Sequence, residues 1–182
     1  LCPANPESHK LLTGLYLEAL DRYPFDGIHL DRIRFPDENF CYCRYCRRQF
    51  QQDTGIELKV FAEGSPEWRK WMGWRQEQVT RFMELLSKTI RDRYPSVTIT
   101  CSVVRHEQME KKGQDWPTWL RRGYIDVAVP LLYSGGHIAS GMEWIISSFS
   151  SVQRTRIALG LLPYAGVGRE ISDWRRAGGG GY

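Results

Sequence analysis

Residues 96–104 read SVTITCSVV. Val97, Ile99, Cys101 and Val103 alternate there with Thr98, Thr100 and Ser102, the period of two that sends successive side chains to opposite faces of a β-strand. One face is bulky and aliphatic, the other small and hydroxylic. A sheet covered by helices on both sides is apolar on both faces. The run therefore predicts a sheet with helices on one side and a small, polar lining on the other.

Three more runs carry the same signature. In YIDVAVPLLY (residues 124–133), Ile125, Val127, Val129 and Leu131 are predicted to face helices, opposite Asp126, Ala128 and Pro130. In RIALGLL (residues 156–162), Ile157, Leu159 and Leu161 oppose Ala158 and Gly160. In FDGIHLDRIRFP (residues 25–36), Ile28 and Leu30 face helices, and His29 and Asp31 face away. Helical stretches separate these runs. PESHKLLTGLYLEALDRYP places Leu12, Leu15, Tyr16 and Ala19 near one face. A long helix opens at Ser65-Pro66, a cap followed by a proline at the first position, and buries Trp71, Val79, Phe82, Leu86 and Ile90. DWPTWLRRG is a short helix ended by Gly123, and EWIISSFSSV and SDWRRA read as two more. Strand-helix alternation calls for a parallel sheet with right-handed crossovers.

Helices outside and small residues inside describe a (β/α)8 TIM barrel. A complete one takes about 250 residues, whereas this chain has 182 residues and strands expected near 27–33, 97–104, 125–132 and 156–162. The expected fold is thus α/β, a partial (β/α)8 barrel, with residues 1–182 a fragment of a single catalytic domain. Leu1 in place of Met and the terminal GGGGY fit a chain cut at both ends.

Composition sets wide bounds. Hydrophobic residues at 42% and charged residues at 25% fit a soluble globular domain, and no apolar run reaches membrane-spanning length. A net charge of +4, mild and spread along the chain, is only a weak argument for a nucleic-acid partner. Seven Trp and nine Tyr suit the faces of sugar rings, but most of them read as core residues.

Barrel enzymes keep their chemistry at the C-terminal rim of the strands, and Asp31 ends its strand there. A carboxylate among guanidinium groups stays ionised, which suits a nucleophile or base, with Arg34 alongside it. The next strand runs into VVRHEQMEKKGQDW (residues 103–116), which offers Arg105 and, as a second carboxylate, Glu107. Asp115 is either a substrate contact or the cap of a helix. Tyr133 ends the third strand within hydrogen-bonding reach of a rim substrate, and His137 follows in a Ser-Gly-Gly-His loop. His29 sits deeper and reads as a hydrogen-bonded lining residue. Asp26 and Asp126 lie at the opposite strand ends and read as turn or cap residues.

FCYCRYCRRQF (residues 40–50) holds Cys41, Cys43 and Cys46, three of the five cysteines, in the spacing C-x-C-x-x-C. Thiolates so close together suit a metal, and three leave a tetrahedral site one ligand short. The competing states are free thiols or disulfides. Cys101, facing helices, reads as a buried free thiol.

GIHLDRIRFP, GQDWPTWLRRGYIDVAVPLLY and the closing glycine run resemble the family 10-like glycosyl hydrolases, over most of the chain from Cys2 onward. The resemblance implies a fragment from the end of the third barrel strand to the edge of the eighth, with Asp31 on the fourth strand and Tyr133 on the sixth. The cysteine loop is similar to that of glycoside hydrolase family 42 β-galactosidases, which carry C-x-C-x-x-C after their fourth strand. Some of them complete a structural zinc site with a cysteine after the third. Cys2, in LCPANPE, holds the corresponding place, with His9 and His29 as alternative fourth ligands. That family has Asn-Glu at the end of the fourth strand where this chain has Leu30-Asp31. Its catalytic residues and substrate therefore do not carry over.

Together these expectations describe a glycosidase acting on an oligo- or polysaccharide, with rim carboxylates and a structural zinc on Cys2, Cys41, Cys43 and Cys46. It would need barrel strands beyond this chain for activity. A site of reduced thiols points to a reducing, cytoplasmic compartment. The alternatives are a carbohydrate-binding barrel without turnover and, from Arg44, Arg47 and Arg48, a zinc-knuckle nucleic-acid binder.

Overall fold

A computed structural model describes residues 1–133, 135–162 and 167–180. Ser134 of the Ser-Gly-Gly-His loop, Pro163 after the fourth expected strand and Gly181 of the glycine run lie outside these.

Helix α1 (Pro6–Arg22) begins where the Asn5 side chain accepts the Glu7 N–H at 3.0 Å. Its inward ridge is Leu12, Tyr16 and Leu20, spaced four apart. Leu15, expected on that face, is 53% exposed, because it lies one position, about a quarter-turn, off the ridge. Strand β1 (Gly27–Leu30) follows.

Helix α2 (Arg44–Thr54) starts inside the cysteine stretch, which had read as a loop, with Cys43 as its cap and left-handed Gly55 at its end. Two of its side chains, Cys46 and Phe50, are buried. Phe50 meets Trp71 edge-on at 5.1 Å, and Trp74 Nε1 donates to Asp53 Oδ2 at 2.7 Å.

Helix α3 (Pro66–Arg93) is capped by Ser65, which accepts from Trp68 N–H at 3.1 Å. Trp71, Val79, Phe82, Leu86 and Ile90 are all buried, as their spacing predicts. Strand β2 (Thr98–Val103) leads through a 3-10 turn (His106–Gln108) to α4 (Met109–Lys112) and α5 (Trp116–Arg121). Then come β3 (Val127–Pro130), α6 (Gly135–Ser148), α7 (Ser151–Arg154) and α8 (Val167–Arg176).

The three strands form one parallel sheet in the order β1-β2-β3. Leu30 pairs with Cys101 and Cys101 with Ala128. Side chains paired across a sheet share a face, and these three are fully buried in a single core with α3 and α5. On the opposite face His29 bridges two hydroxyls, Nδ1 to Thr100 Oγ1 and Nε2 to Ser102 Oγ, each at 2.8 Å.

The pairing corrects the sequence-based reading of β3. Val127 pairs with Thr100 and Val129 with Ser102, so both valines lie on the open face, and Ala128 and Pro130 face the core. Small residues suit that side of β3 because α5 packs there with fully buried Trp119 and nearly buried Trp116. Ring volume replaces aliphatic volume. The fourth run pairs with β3 through four backbone bonds, among them Ala158 N–H to Ala128 O at 2.9 Å and Leu132 N–H to Gly160 O at 2.8 Å. It forms isolated parallel bridges rather than a continuous strand.

Candidate functional site

Two chain segments far apart in sequence build the cysteine cluster. The Cys2 carbonyl accepts the Asn5 N–H at 3.1 Å in the turn that launches α1. Cys43 and Cys46 sit at the N-terminal turn of α2, where the helix dipole favours negative charge. The sulfurs of Cys2, Cys41, Cys43 and Cys46 all lie within 4.8 Å of one another, and Cys2 and Cys46 are 3.4 Å apart. A tetrahedral ion with metal–sulfur bonds of about 2.3 Å sets its sulfurs about 3.8 Å apart. The cluster brackets that spacing, so the four cysteines can hold a metal ion. Neither histidine alternative is used: His9 Nε2 meets the Pro3 carbonyl at 2.6 Å, and His29 is engaged by Thr100 and Ser102. All five cysteines are free thiols.

The thiols do not titrate alike. A hydrogen bond from the Cys46 thiol holds Cys2 down to about 5. The same bond, with burial, pushes Cys46 up. Burial pushes Cys41 up to about 11. A cation facing all four would favour the thiolate of each. Arg47 is committed to the local fold: it donates to Tyr42 O at 2.9 Å and Leu58 O at 3.0 Å.

Asp31 stands one residue beyond β1. Its Oδ1 accepts the Arg32 N–H at 2.9 Å, and Arg32 takes a left-handed φ of 56°. The Arg34 N–H then bonds Arg32 O at 2.8 Å, turning Ile33 and Phe35 into the core. Among the described residues no ion pair reaches Asp31, so the expected bridge to Arg34 or Arg105 is absent. Burial pushes the Cys101 thiol up to about 12, with the charge of Asp31 adding to the rise and that of Arg34 opposing it. Asp31, Arg34, Tyr16, His9, Phe82 and Cys2 line a pocket of ≈ 220 Å³ where the chain leaves β1.

The remaining candidates are scattered. Glu107, in the turn after β2, has Oε2 3.4 Å from His106 Nδ1. Arg105 precedes that turn and is half-buried. Tyr133 is exposed just beyond β3, and His137 is exposed on α6. Asp115 is drawn elsewhere: Oδ1 caps α5 by accepting the Thr118 N–H at 3.3 Å, and the residue lines a groove with Thr80 and Glu84 of α3. Asp126 is structural, accepting from Arg91 at 2.9 Å and from Ile99 N–H at 2.7 Å.

Gln114 had signalled nothing in sequence beyond its place before a helix. It is fully buried and joins the two rim loops, accepting the Val104 N–H at 2.8 Å and donating to Ile33 O at 3.0 Å. Trp116 Nε1 takes the Val104 carbonyl at 3.1 Å. The Gly-Gln-Asp-Trp run thus fixes the exit of β2 to the loop after Asp31.

A family model described as glycosyl hydrolase-like 10 matches residues 1–161. No curated protein matches the chain.

Proposed function

The chain belongs to the glycosyl hydrolase-like 10 family, and on that premise we propose that it hydrolyses O-glycosidic bonds of an oligo- or polysaccharide. The sheet is part of a (β/α)8 barrel, and a further strand of it would pair with the free edge of β1. This reading draws support from three parallel strands with one buried face and one open, hydroxyl-lined face.

The observation that carries the proposal is the position of Asp31. It follows the last residue of β1, at the carboxyl end of a parallel sheet, where such folds bind and transform ligands. Oδ1 is held by the Arg32 backbone N–H, which fixes the orientation of the carboxyl group. A carboxylate fixed in this way serves as nucleophile or base, with Arg34, Arg105 and Tyr133 as substrate contacts around the same edge. Glycoside hydrolysis pairs two carboxyl groups. Asp31 is the sole carboxylate among the described residues of its pocket, and that observation favours the second reading, a carbohydrate-binding barrel without turnover.

Cys2, Cys41, Cys43 and Cys46 would hold a structural zinc. Four thiolates close the coordination sphere, so the ion would pin the Cys2 turn to α2 and take no part in bond cleavage.

Turnover of a panel of 4-nitrophenyl glycosides and of soluble polysaccharides, measured on a longer chain that supplies the remaining barrel strands, tests the proposal. Asp31→Asn keeps the shape and removes the charge. The rate should fall at least ~10²-fold, the low end for losing a positioned acid–base group. A folded Asp31→Asn protein with wild-type turnover would sink the assignment. Saccharide binding without any turnover would favour the second reading.

A further inference from the structure

His106 and Glu107 form a pair that the assignment of Asp31 leaves unexplained. The His106 ring stacks on Trp144, with centroids 4.9 Å apart and planes at 3°. Trp144 meets Trp116 edge-on at 5.6 Å, and Trp116 is tied to Val104 O at the end of β2. The imidazole plane is thereby fixed to the sheet.

Its two nitrogens differ. Nδ1 is sealed from solvent without a well-aligned hydrogen bond, and the carboxylate beside it is Glu107, at 3.4 Å. Contacts of this kind are often long in a free enzyme and tighten on binding. The side chain is still 26% exposed, and with Nδ1 shielded the open part of the ring is the side that carries Nε2. In a neutral imidazole one nitrogen donates and the other accepts, and the partner of one decides the role of the other. A Glu107 carboxylate that accepts from Nδ1 would put the proton there and leave the Nε2 lone pair free to accept.

His106 lies three residues beyond β2 and Asp31 one residue beyond β1, on neighbouring strands in which Leu30 pairs with Cys101. Both residues lie past the same carboxyl end of the sheet. We propose that His106 contacts substrate, accepting a hydrogen bond from a sugar hydroxyl at Nε2, and that Glu107 is its positioning residue rather than a second catalytic carboxylate. The nature of the ligand rests on the glycoside reading above. The tautomer does not.

Long-range proton–nitrogen NMR of the chain labelled with ¹⁵N-histidine tests this directly, and His106→Gln identifies the His106 signals among the four histidines. His106 should carry its proton on Nδ1. Glu107→Ala should return it to the Nε2–H form that free imidazole prefers. Glu107→Gln should keep the Nδ1–H form, because its amide oxygen still accepts. Methyl glycosides at millimolar concentration should shift the Nε2 resonance. Where turnover is measured, Glu107→Ala should raise KM about tenfold, the scale of one lost hydrogen bond, with kcat little changed, and Glu107→Gln should recover it. An Nε2–H tautomer in the wild type, or one indifferent to Glu107→Ala, refutes the positioning role. An Nε2 resonance that no glycoside moves refutes the substrate contact. Equal loss of kcat in both Glu107 variants at unchanged KM would make Glu107 catalytic and overturn the proposal. Failure of Asp31→Asn to affect turnover would defeat the reading of Asp31 and leave the tautomer result standing.

Discussion

The sulfurs of Cys2 and Cys46 lie 3.4 Å apart across 44 positions of sequence. One precedes α1 and the other sits in the first turn of α2, so the contact ties the start of the chain to the loop after β1. Each sulfur is useful to a metal only because the other three share the space.

Removal of metal is expected to loosen this tie. Reduced, purified protein should contain one zinc per chain. Binding at a thousandfold excess over Kd contributes about 4 kcal/mol, so chelation should lower Tm by about 10 °C. Cys2→Ser should reproduce most of that loss and no longer respond to chelator. Elemental analysis without zinc, or a Tm indifferent to chelation, would exclude the structural ion.

Cys101 should make the fold sensitive to alkali. Burial raises its thiol from 9.0 to about 12. A group with a raised folded value contributes stability that is fully present below the unfolded value and lost as pH rises through the folded one. Stability from this thiol is therefore complete below about pH 9 and declines between about pH 9 and 12, by up to about 1.4 kcal/mol per pH unit. Denaturation curves across that range should show a decline that Cys101→Ala removes, starting from a lower baseline. A Cys101 that reacts with iodoacetamide at pH 8 in the native state would contradict the burial.

Gln114→Ala strands a buried N–H and a buried carbonyl, those of Val104 and Ile33. At about 1–3 kcal/mol for each unsatisfied group, urea denaturation should give a loss of roughly 2–5 kcal/mol. A loss under about 0.5 kcal/mol, the range of ordinary surface changes, would mean that the two loops are held by something else.

The two faces of β3 can be told apart by substitution. Ala128→Leu forces volume into a filled core beside α5 and should cost roughly 1–3 kcal/mol. Val129→Thr on the open face should stay within about 0.5 kcal/mol. The reverse order of the two Tm shifts would restore the arrangement expected from bulk alone.

Local pattern was enough for whatever the chain decides over a few residues. The alternation in SVTITCSVV, the Ser65-Pro66 start of α3 and its stripe from Trp71 to Ile90 each follow from a single period of side-chain placement, and each is present. The C-x-C-x-x-C spacing pointed in the same way to a group of thiols that could share a metal ion, and the sulfurs do lie together. Which face of β3 is buried was not local. Its alternation is sound, but the register with β2 chooses the face, and the buried tryptophans of α5 supply the bulk that Ala128 and Pro130 lack. Helix α2 was not legible because the cysteine spacing that runs into its first turn reads as a metal-binding loop, and because few of its side chains are apolar, Cys46 and Phe50 being the buried ones. The contact of His106 with Trp144 and the Gln114 link between Ile33 and Val104 join groups from separate elements, as does the closure of the cysteine site by Cys2, which a family resemblance had suggested and spacing alone had not. Their side chains meet only after the strands have paired and the helices have packed. Sequence spacing measures distance along the chain, and these relations exist only as distances across it.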